Sequence, residues 1–467
     1  MPHRENPRTS RPRRRAWPTL LAGLAGLFLL TGIGPCRPPL DPIIFVHGGS
    51  GSGAQFETQA MRFSSNGYPQ DFIAVVEYDS GLSFPEELPV VFEAIDARIA
   101  ELQARTGRDQ VTLMGHSRGT TVSHAYLEDP ERAARVGHYV NIDGRSSDAL
   151  PGGVPTLALW AGAVDRPVQG EIVGAVNVTV PDEEHIEVAT SAEAFAEMFQ
   201  FIHGRPPFTT DIRPQIVPSV AGRVTAFPEN TGLEGAKLEV WRVREATGQR
   251  IGRRPRAVYE IGPDGDFGPF RVVNGQHFEF AVSREEDDVS VRYFYEPFVR
   301  SDHLVRLNVA LGLADFIDAS PDHTAITVLR FKEFWGDRGI DNDVLSFDGV
   351  DVINPVTAPS GAVGVASSAF FVFDDGSDGL SDLESVPFPF PFLAFLTATD
   401  LFLPSDPPGH IAIETVPRGK FDAARTLNLP NIPSSEARLV AQLRDFESAG
   451  VHSGSSVPQF LGGRQAW

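Results

Sequence analysis

The sequence predicts an α/β fold, a mostly parallel sheet flanked by helices, followed by an all-β region. Two changes of texture carry this reading. From Asp41 to about Gly204 short apolar runs alternate with amphipathic stretches, the pattern of strands joined by crossover helices. Beyond Arg205-Pro206-Pro207 the helical periodicity fades, and short β-rich runs are punctuated by Gly, Pro and Asp-Gly turns. The 467 residues, 42% hydrophobic and 22% charged, hold material for two or three cores of the usual ~100 to 200 residues each. The expected organisation is a leader over 1–36, an α/β domain over 41–205 and a β-rich region of one or two modules over 208–467.

Charge separates the leader from the rest. Residues 1–40 hold seven Arg against one acid, Glu5, a net of +6, whereas the remainder has 33 basic and 60 acidic residues, a net of −27. A basic stretch with Arg8, Arg11, Arg13, Arg14 and Arg15 precedes an apolar run from Leu20 to Ile33. That length suits an export signal and is short for a spanning helix, the competing reading being an uncleaved membrane anchor. Cys36 invites lipoprotein anchoring, but Ile33-Gly34-Pro35 fits a lipobox badly, and the Arg run has no clear twin-arginine consensus. The expected location is therefore secreted or in the cell envelope. An acidic remainder repels phosphate backbones, which excludes nucleic acid as an expected partner. As the sole cysteine, Cys36 can form neither an intramolecular disulfide nor a Cys-based metal cluster.

In the first domain the expected strands are Ile43 to Val46, Ile73 to Tyr78, Val111 to Met114, Tyr139 to Ile142, Thr156 to Trp160 and Val176 to Val180. Between them Phe56 to Ser64 reads as a helix stopped by Asn66-Gly67, and Pro89 to Arg105 as another stopped by Gly107. A final helix begins at Thr190, whose spacing to Glu193 fits a capping box, and ends at Gly204. In the second region the runs KLEVWRV, FEFAVS, VRYFYEPFV and AITVLRF read as strands. No fixed-period repeat is found, and the tail after about Ser448, rich in Ser and Gly, is expected to fray.

The strongest chemical signal is Gly115-His116-Ser117-Arg118-Gly119, set between the strand VTLM and a helical stretch. A serine nucleophile needs a sharp strand-to-helix turn that lifts its oxygen clear of the sheet, and glycines two residues to either side remove side chains that would clash there. Taken alone, such a pentapeptide is also compatible with an ordinary Gly-rich turn. A hydroxyl is inert without a base and an anion-stabilising pocket. The loop His47-Gly48-Gly49-Ser50-Gly51-Ser52-Gly53 after the first strand can supply the pocket through the N–H of Gly49, with the N–H of Arg118 as the second donor. A phosphate-cradling role for that loop is disfavoured, because no GKS, GKT or GxGxxG context accompanies it.

For the base, the chain order serine, acid, histidine calls for a histidine after the last strand and before the final helix. His185 fits; His47 and His116 belong to the two loops, His124 and His138 flank a helix, and His203 ends one. Asp182, Glu183 and Glu184 beside His185 are expected to favour its charged form. The acid stays open between Asp143, at the end of the strand after the nucleophile helix, and Asp165, past the next strand, where spacing slightly favours Asp165.

The runs HGGSGSGAQFE, VEYD, MGHSRGT, DPERAARV, NIDG, GVPTLAL and FIHGRPPFTTDIRPQ, with YEPFVRSDH and FDDGSDGLSDLE later, resemble the archaeal thermophilic lipases, in which an α/β-hydrolase domain precedes a C-terminal lipid-binding β domain. The resemblance covers nearly everything after residue 40. It implies the α/β-hydrolase fold, nucleophile Ser117, base His185, acid Asp143 and oxyanion donors Gly49 and Arg118, with the position near Asp165 outside the triad. Those lipases carry a long helical lid where only Ser80 to Gln110 stand here, room for one crossover helix and a short loop. Weak interfacial activation and a broader carboxylesterase range are therefore expected, with Arg118 rimming the pocket.

Two hints come from the second region. Val386 to Pro404 is rich in Phe and Pro, and either fills a β core or forms a lipid- or polymer-contacting patch. Asp374-Asp375-Gly376-Ser377-Asp378-Gly379 resembles an acidic calcium turn but lacks the downstream Glu, which favours a solvated turn. The expectation is an exported serine ester hydrolase acting on lipid or related esters, needing no metal or organic cofactor. The rivals are a polyester depolymerase and a non-catalytic lipid-binding or adhesion protein on the same scaffold.

Overall fold

The computed structural model describes residues 40–81, 88–163, 170–285, 287, 289–317, 319–361, 363–418 and 424–446. The leader with Cys36, the alternative acid Asp165 and the Ser/Gly tail lie outside the described residues. Six strands, β1 (Ile43–Val46), β2 (Ile73–Val76), β3 (Val111–His116), β4 (Val136–Ile142), β5 (Thr156–Gly162) and β6 (Val176–Pro181), form one sheet in the order β2-β1-β3-β4-β5-β6. Every neighbouring pair is parallel. β1 and β3 are buried along their whole length, because a parallel sheet covered on both faces needs apolar residues throughout.

The flanking helices are α1 (Glu57–Ser65), α2 (Leu88–Thr106), α3 (Arg118–Leu127), the short α4 (Pro130–Ala133) and α5 (Ala192–His203). α2 buries Val91, Ile95, Ile99 and Leu102, an i, i+4, i+8 stripe closed by one further turn against the sheet. The helix read from Phe56 begins instead with a 3-10 turn, Gly53–Phe56. The capping box at Thr190 does not form. Ser191 is the cap, accepting from Ala194 N at 3.0 Å. Thr190 Oγ1 instead donates to Phe331 O at 3.0 Å in the β region, a tertiary contact that local spacing does not encode.

After Gly204, which closes α5 in the left-handed conformation, every strand belongs to other sheets. The largest has eight strands, in the order Ala257–Glu260, Lys237–Val243, His277–Ser283, Ser290–Tyr295, Ala437–Gln442, Ile326–Leu329, Ala369–Phe373, Leu396–Asp400. Its hairpins are antiparallel, but Ala437–Gln442 lies parallel to both of its neighbours. Two four-stranded sheets pack with it over cores that include Phe278, Phe280 and Tyr293 on one side and Phe334, Leu345 and Phe370 on the other. The β runs read from sequence fall on these strands. The Phe/Pro segment divides, with Phe390 buried at 1% exposure while Phe388 and Phe392 stand 69% and 79% exposed. The described residues from Asp41 onward form one compact unit, so the two regions share a continuous seam.

Candidate active site

The order of the parallel sheet reverses at β1, which has β2 on one side and β3 on the other. The crevice at the carboxyl ends of such strands is where open α/β sheets hold ligands, and the loops after β1 and β3 meet there. Ser117 sits between β3 and α3 with φ 53° and ψ −120°. A non-glycine residue in this region costs of order 1–3 kcal/mol and persists only where its surroundings dictate it. The dictation comes from Gly115 and Gly119. A Cβ on Gly115 would come 2.6 Å from Gly119 O, and one on Gly119 would come 2.2 Å from Val46 O. The turn is locked from below by Ser117 N, which donates to Ile142 O at 3.0 Å, and by Thr120 Oγ1, which donates to Ser117 O at 2.7 Å.

Asp143 and His185 meet, as the resemblance implies. Asp143 follows β4 at φ 42°, and its Oδ1 accepts from Ala161 N at 3.0 Å. Its Oδ2 lies 2.5 Å from His185 Nδ1, with both side chains buried. A carboxylate only accepts, so Nδ1 carries the proton and Nε2 is the basic nitrogen. His185 lies in the loop after β6, and with Ser117 it lines one cavity. The Phe395 ring stacks on the imidazole at 5.7 Å between centroids.

His116, which the motif itself supplies, has a second duty. Its Nε2 donates to His185 O at 2.8 Å, while its Nδ1 accepts from Gln55 Nε2 at 2.8 Å. His116 and Phe395 thus flank the imidazole, and Gln55 fixes His116. His116 sat in the serine motif, Gln55 in the run after the first strand and Phe395 in the Phe/Pro segment, but none of the three had a sequence signal for this task.

The loop after β1 is held largely by the β region. Glu77 accepts from Gly53 N through both oxygens at 3.2 Å and pairs with Arg306 Nε at 2.5 Å. Asn308 Nδ2 donates to Ser52 Oγ at 3.0 Å, and Asn230 Nδ2 donates to Gly51 O at 2.9 Å. Tyr78 stacks on His47 and donates its hydroxyl to His47 O at 2.6 Å. A Cβ on Gly48 would come 3.0 Å from Ser117 Cβ, a tight approach that glycine avoids where this loop lies against the serine.

Two expectations are corrected. Arg118 does not rim the cavity. Its Nη1 donates to Ser80 O at 2.6 Å and its guanidinium packs under Gly49. The acidic run before His185 does not act as a block of charge. Burial pushes the Glu183 carboxyl up to about 8, which leaves it protonated at neutral pH. Asp182 is exposed, and Glu184 accepts from Trp335 Nε1 at 3.1 Å. The turn at Asp374 is closed by its own side chain, with Oδ2 accepting from Gly379 N at 3.1 Å. Among the described residues no group of three or more His, Cys, Asp or Glu is placed to hold a metal.

The cavity, of about 160 Å³, runs from Gly48, Gly49, Ser117 and His185 into the β region, where Leu313, Leu329, Phe371 and Val440 wall it. Most of its surface is apolar. Leu313 and Ile317 come from the segment around the 3-10 turn Leu311–Phe316, and Phe395 and Leu396 from the end of the Phe/Pro segment. The β region therefore supplies much of the cavity wall.

Residues 217–311 match the family model described as the lipase C-terminal domain, and residues 312–447 match a second model described as a C-terminal domain. No curated protein matches the chain. Among solved structures it is similar to a hydrolase from Thermoplasma acidophilum described as CIB-like, at 15% identity over 36% of this chain and 88% of that one, with a TM-score of 0.27. It is similar to a Bacillus licheniformis lipase in propeptide form, at 14% identity over 44% of this chain and 58% of that one, TM-score 0.28. A third is the phospholipase PlaB of Legionella pneumophila, at 9% identity over 89% of this chain and 98% of that one, TM-score 0.22. The parallel sheet with its serine turn resembles an α/β-hydrolase, and the all-β region that follows matches the lipase C-terminal domain model over residues 217–311.

Proposed function

We propose that the protein is an exported serine hydrolase of lipid carboxylic esters. Ser117 Oγ attacks the ester carbonyl as His185 Nε2 takes its proton, and the N–H groups of Gly49 and Arg118 hold the oxyanion. The tetrahedral intermediate collapses as the alcohol leaves with the proton from His185, giving an acyl-Ser117. Water, deprotonated by the same nitrogen, attacks the acyl carbon; Ser117 leaves with the proton and the carboxylic acid is released. Asp143 fixes the tautomer of His185 and favours the imidazolium in both half-reactions.

The contact between His185 Nδ1 and Asp143, beside a serine held at positive φ in the same cavity, is the observation that carries this reading. The apolar wall favours an acyl chain over a polar substituent. Phe316, Phe388 and Phe392 are exposed, and their rings lie 6.1 and 6.2 Å apart in sequence order. These rings offer a contact to a lipid surface. Export rests on the basic and apolar leader. Fluorophosphonate labelling of the intact protein tests the chemistry, with loss of label in Ser117→Ala; an unlabelled wild type would instead favour a lipid-binding protein without catalysis. N-terminal sequencing of protein recovered outside the cytoplasm tests export.

A further inference from the structure

The histidine loop is gripped from the β region by one carboxylate. Glu333 follows the strand Ile326–Leu329 and is 1% exposed. Its Oε1 accepts from Ile186 N at 2.5 Å and its Oε2 from Glu187 N at 3.1 Å. These are the two N–H groups directly after His185, at the opening of the 3-10 turn Glu187–Ala189. Glu333 is itself fixed. Its carbonyl accepts from Arg330 Nη2 at 2.7 Å and Arg418 Nη1 at 2.8 Å. Arg330 pairs with the buried Asp343 at 2.7 Å and lies over the Phe334 ring, and Arg418 lies over the Trp335 ring. Lys332 and Arg418 both pair with Glu187.

We infer that Glu333 is a positioning residue for catalysis: its ionised carboxylate, presented by the β region, sets the place of His185 by holding the backbone immediately after it. The inference rests on His185 being the base. Only the anion offers acceptors on both oxygens; a protonated carboxyl, or a glutamine, has one acceptor and one donor and must release or repel one N–H. A base displaced by about 1 Å can lose ~100-fold in rate without any change in its chemistry.

The charges around Glu333 bear on when it ionises. Glu184 and Glu187 face it from the histidine loop, where Glu187 is neutralised by Lys332 and Arg418. From its own side Arg330 is balanced by Asp343. Burial, with smaller effects from Glu187 and Glu184, pushes the Glu333 carboxyl up to about 7 despite the N–H of Ile186 drawing it down. The grip is therefore complete above that pH and lost as pH falls through it.

The test uses the full-length protein, a soluble butyrate ester and a fluorophosphonate. In Glu333→Gln, kcat is expected to fall roughly 10- to 100-fold while KM stays within about twofold, since the cavity wall is untouched. The wild-type phosphonylation rate should fall as pH drops through about 7, where Glu333 takes up its proton, and the Glu333→Gln rate should lack that step. A labelled wild type whose rate shows no fall through that pH overturns the inference even if the variant does not fold, as does a folded Glu333→Gln with unchanged kcat. A wild type that takes no label overturns the reading of Ser117 and His185 as well.

Discussion

At the scale of single residues, the arrangement separates groups that do chemistry from groups that hold them. Asp143→Asn should leave the fold intact but present the wrong hydrogen to His185 Nδ1, lowering kcat by up to ~10⁴-fold, whereas Asp165→Asn should stay within a fewfold. Steady-state kinetics on both variants decides between the two acids, and a larger loss in Asp165→Asn would overturn the assignment. Gly119→Ala is a different kind of lesion. Its methyl would meet the Val46 carbonyl at 2.2 Å, so β1 and α3 must separate, at a cost of about 3 kcal/mol or more. Denaturant unfolding should show that loss along with the loss of activity.

Ser117 and His185 were legible as candidates because a nucleophile and its base demand a local geometry, a glycine-flanked turn or a place between the last strand and last helix. The choice between Asp143 and Asp165 was not legible from spacing, because both follow strands of the same sheet. Gln55, Phe395 and Glu333 were invisible. Each reaches the site from a distant stretch of chain, and a buried carboxylate whose partners are two backbone N–H groups leaves no pattern in sequence.

At the scale of elements, periodicity read the first sheet well, since strands such as β1 and β5 are largely apolar runs and α2 carries a clear stripe. The β region was legible as strands but not as sheets. Nothing in KLEVWRV or AITVLRF tells which neighbour it takes, and the parallel placement of Ala437–Gln442 between Ser290–Tyr295 and Ile326–Leu329 depends on pairings over 100 residues apart. The Phe/Pro segment was ambiguous because it serves both uses: Phe390 fills a core, Phe395 abuts His185, and Phe388 and Phe392 face solvent. A Phe388→Ser, Phe392→Ser double variant should keep hydrolysis of a soluble butyrate ester within about twofold and lose severalfold on emulsified triglyceride. Equal losses on both substrates would show that the rings do not contact the lipid surface.

At the scale of the whole molecule, buried ionisable groups set a pH window. Burial raises Glu183 to about 8, Glu333 to about 7 and Asp302 to about 6, so the folded state holds protons that the unfolded state has released. Stability from these carboxyls falls as pH rises from about 4.5 to 8. His124 and His203 are lowered to about 4 by burial, which raises stability with pH up to about 6.5 and offsets the carboxyls there. Above 6.5 the carboxyls act unopposed. The unfolding free energy should therefore drop by about 2 kcal/mol between pH 6.5 and 8.5, measured by urea titration at each pH; a flat or rising profile would show that these groups are not buried as described. Ionising Glu333 serves the histidine loop and weakens the fold, so activity and stability should pull in opposite directions across this range.

The strand Ala437–Gln442 has one more consequence, in time rather than in space. It is the last described strand in the chain, yet it occupies the interior of the eight-stranded sheet, and its Arg438 and Val440 help to wall the cavity beside Ser117. Synthesis delivers the serine, the acid and the histidine more than 250 residues before this strand, but the sheet that carries Glu333 cannot close until it arrives. On the proposed reading, a nascent chain would accordingly hold every reacting group and remain silent, and competence would appear only once the polypeptide has been made at least through residue 442.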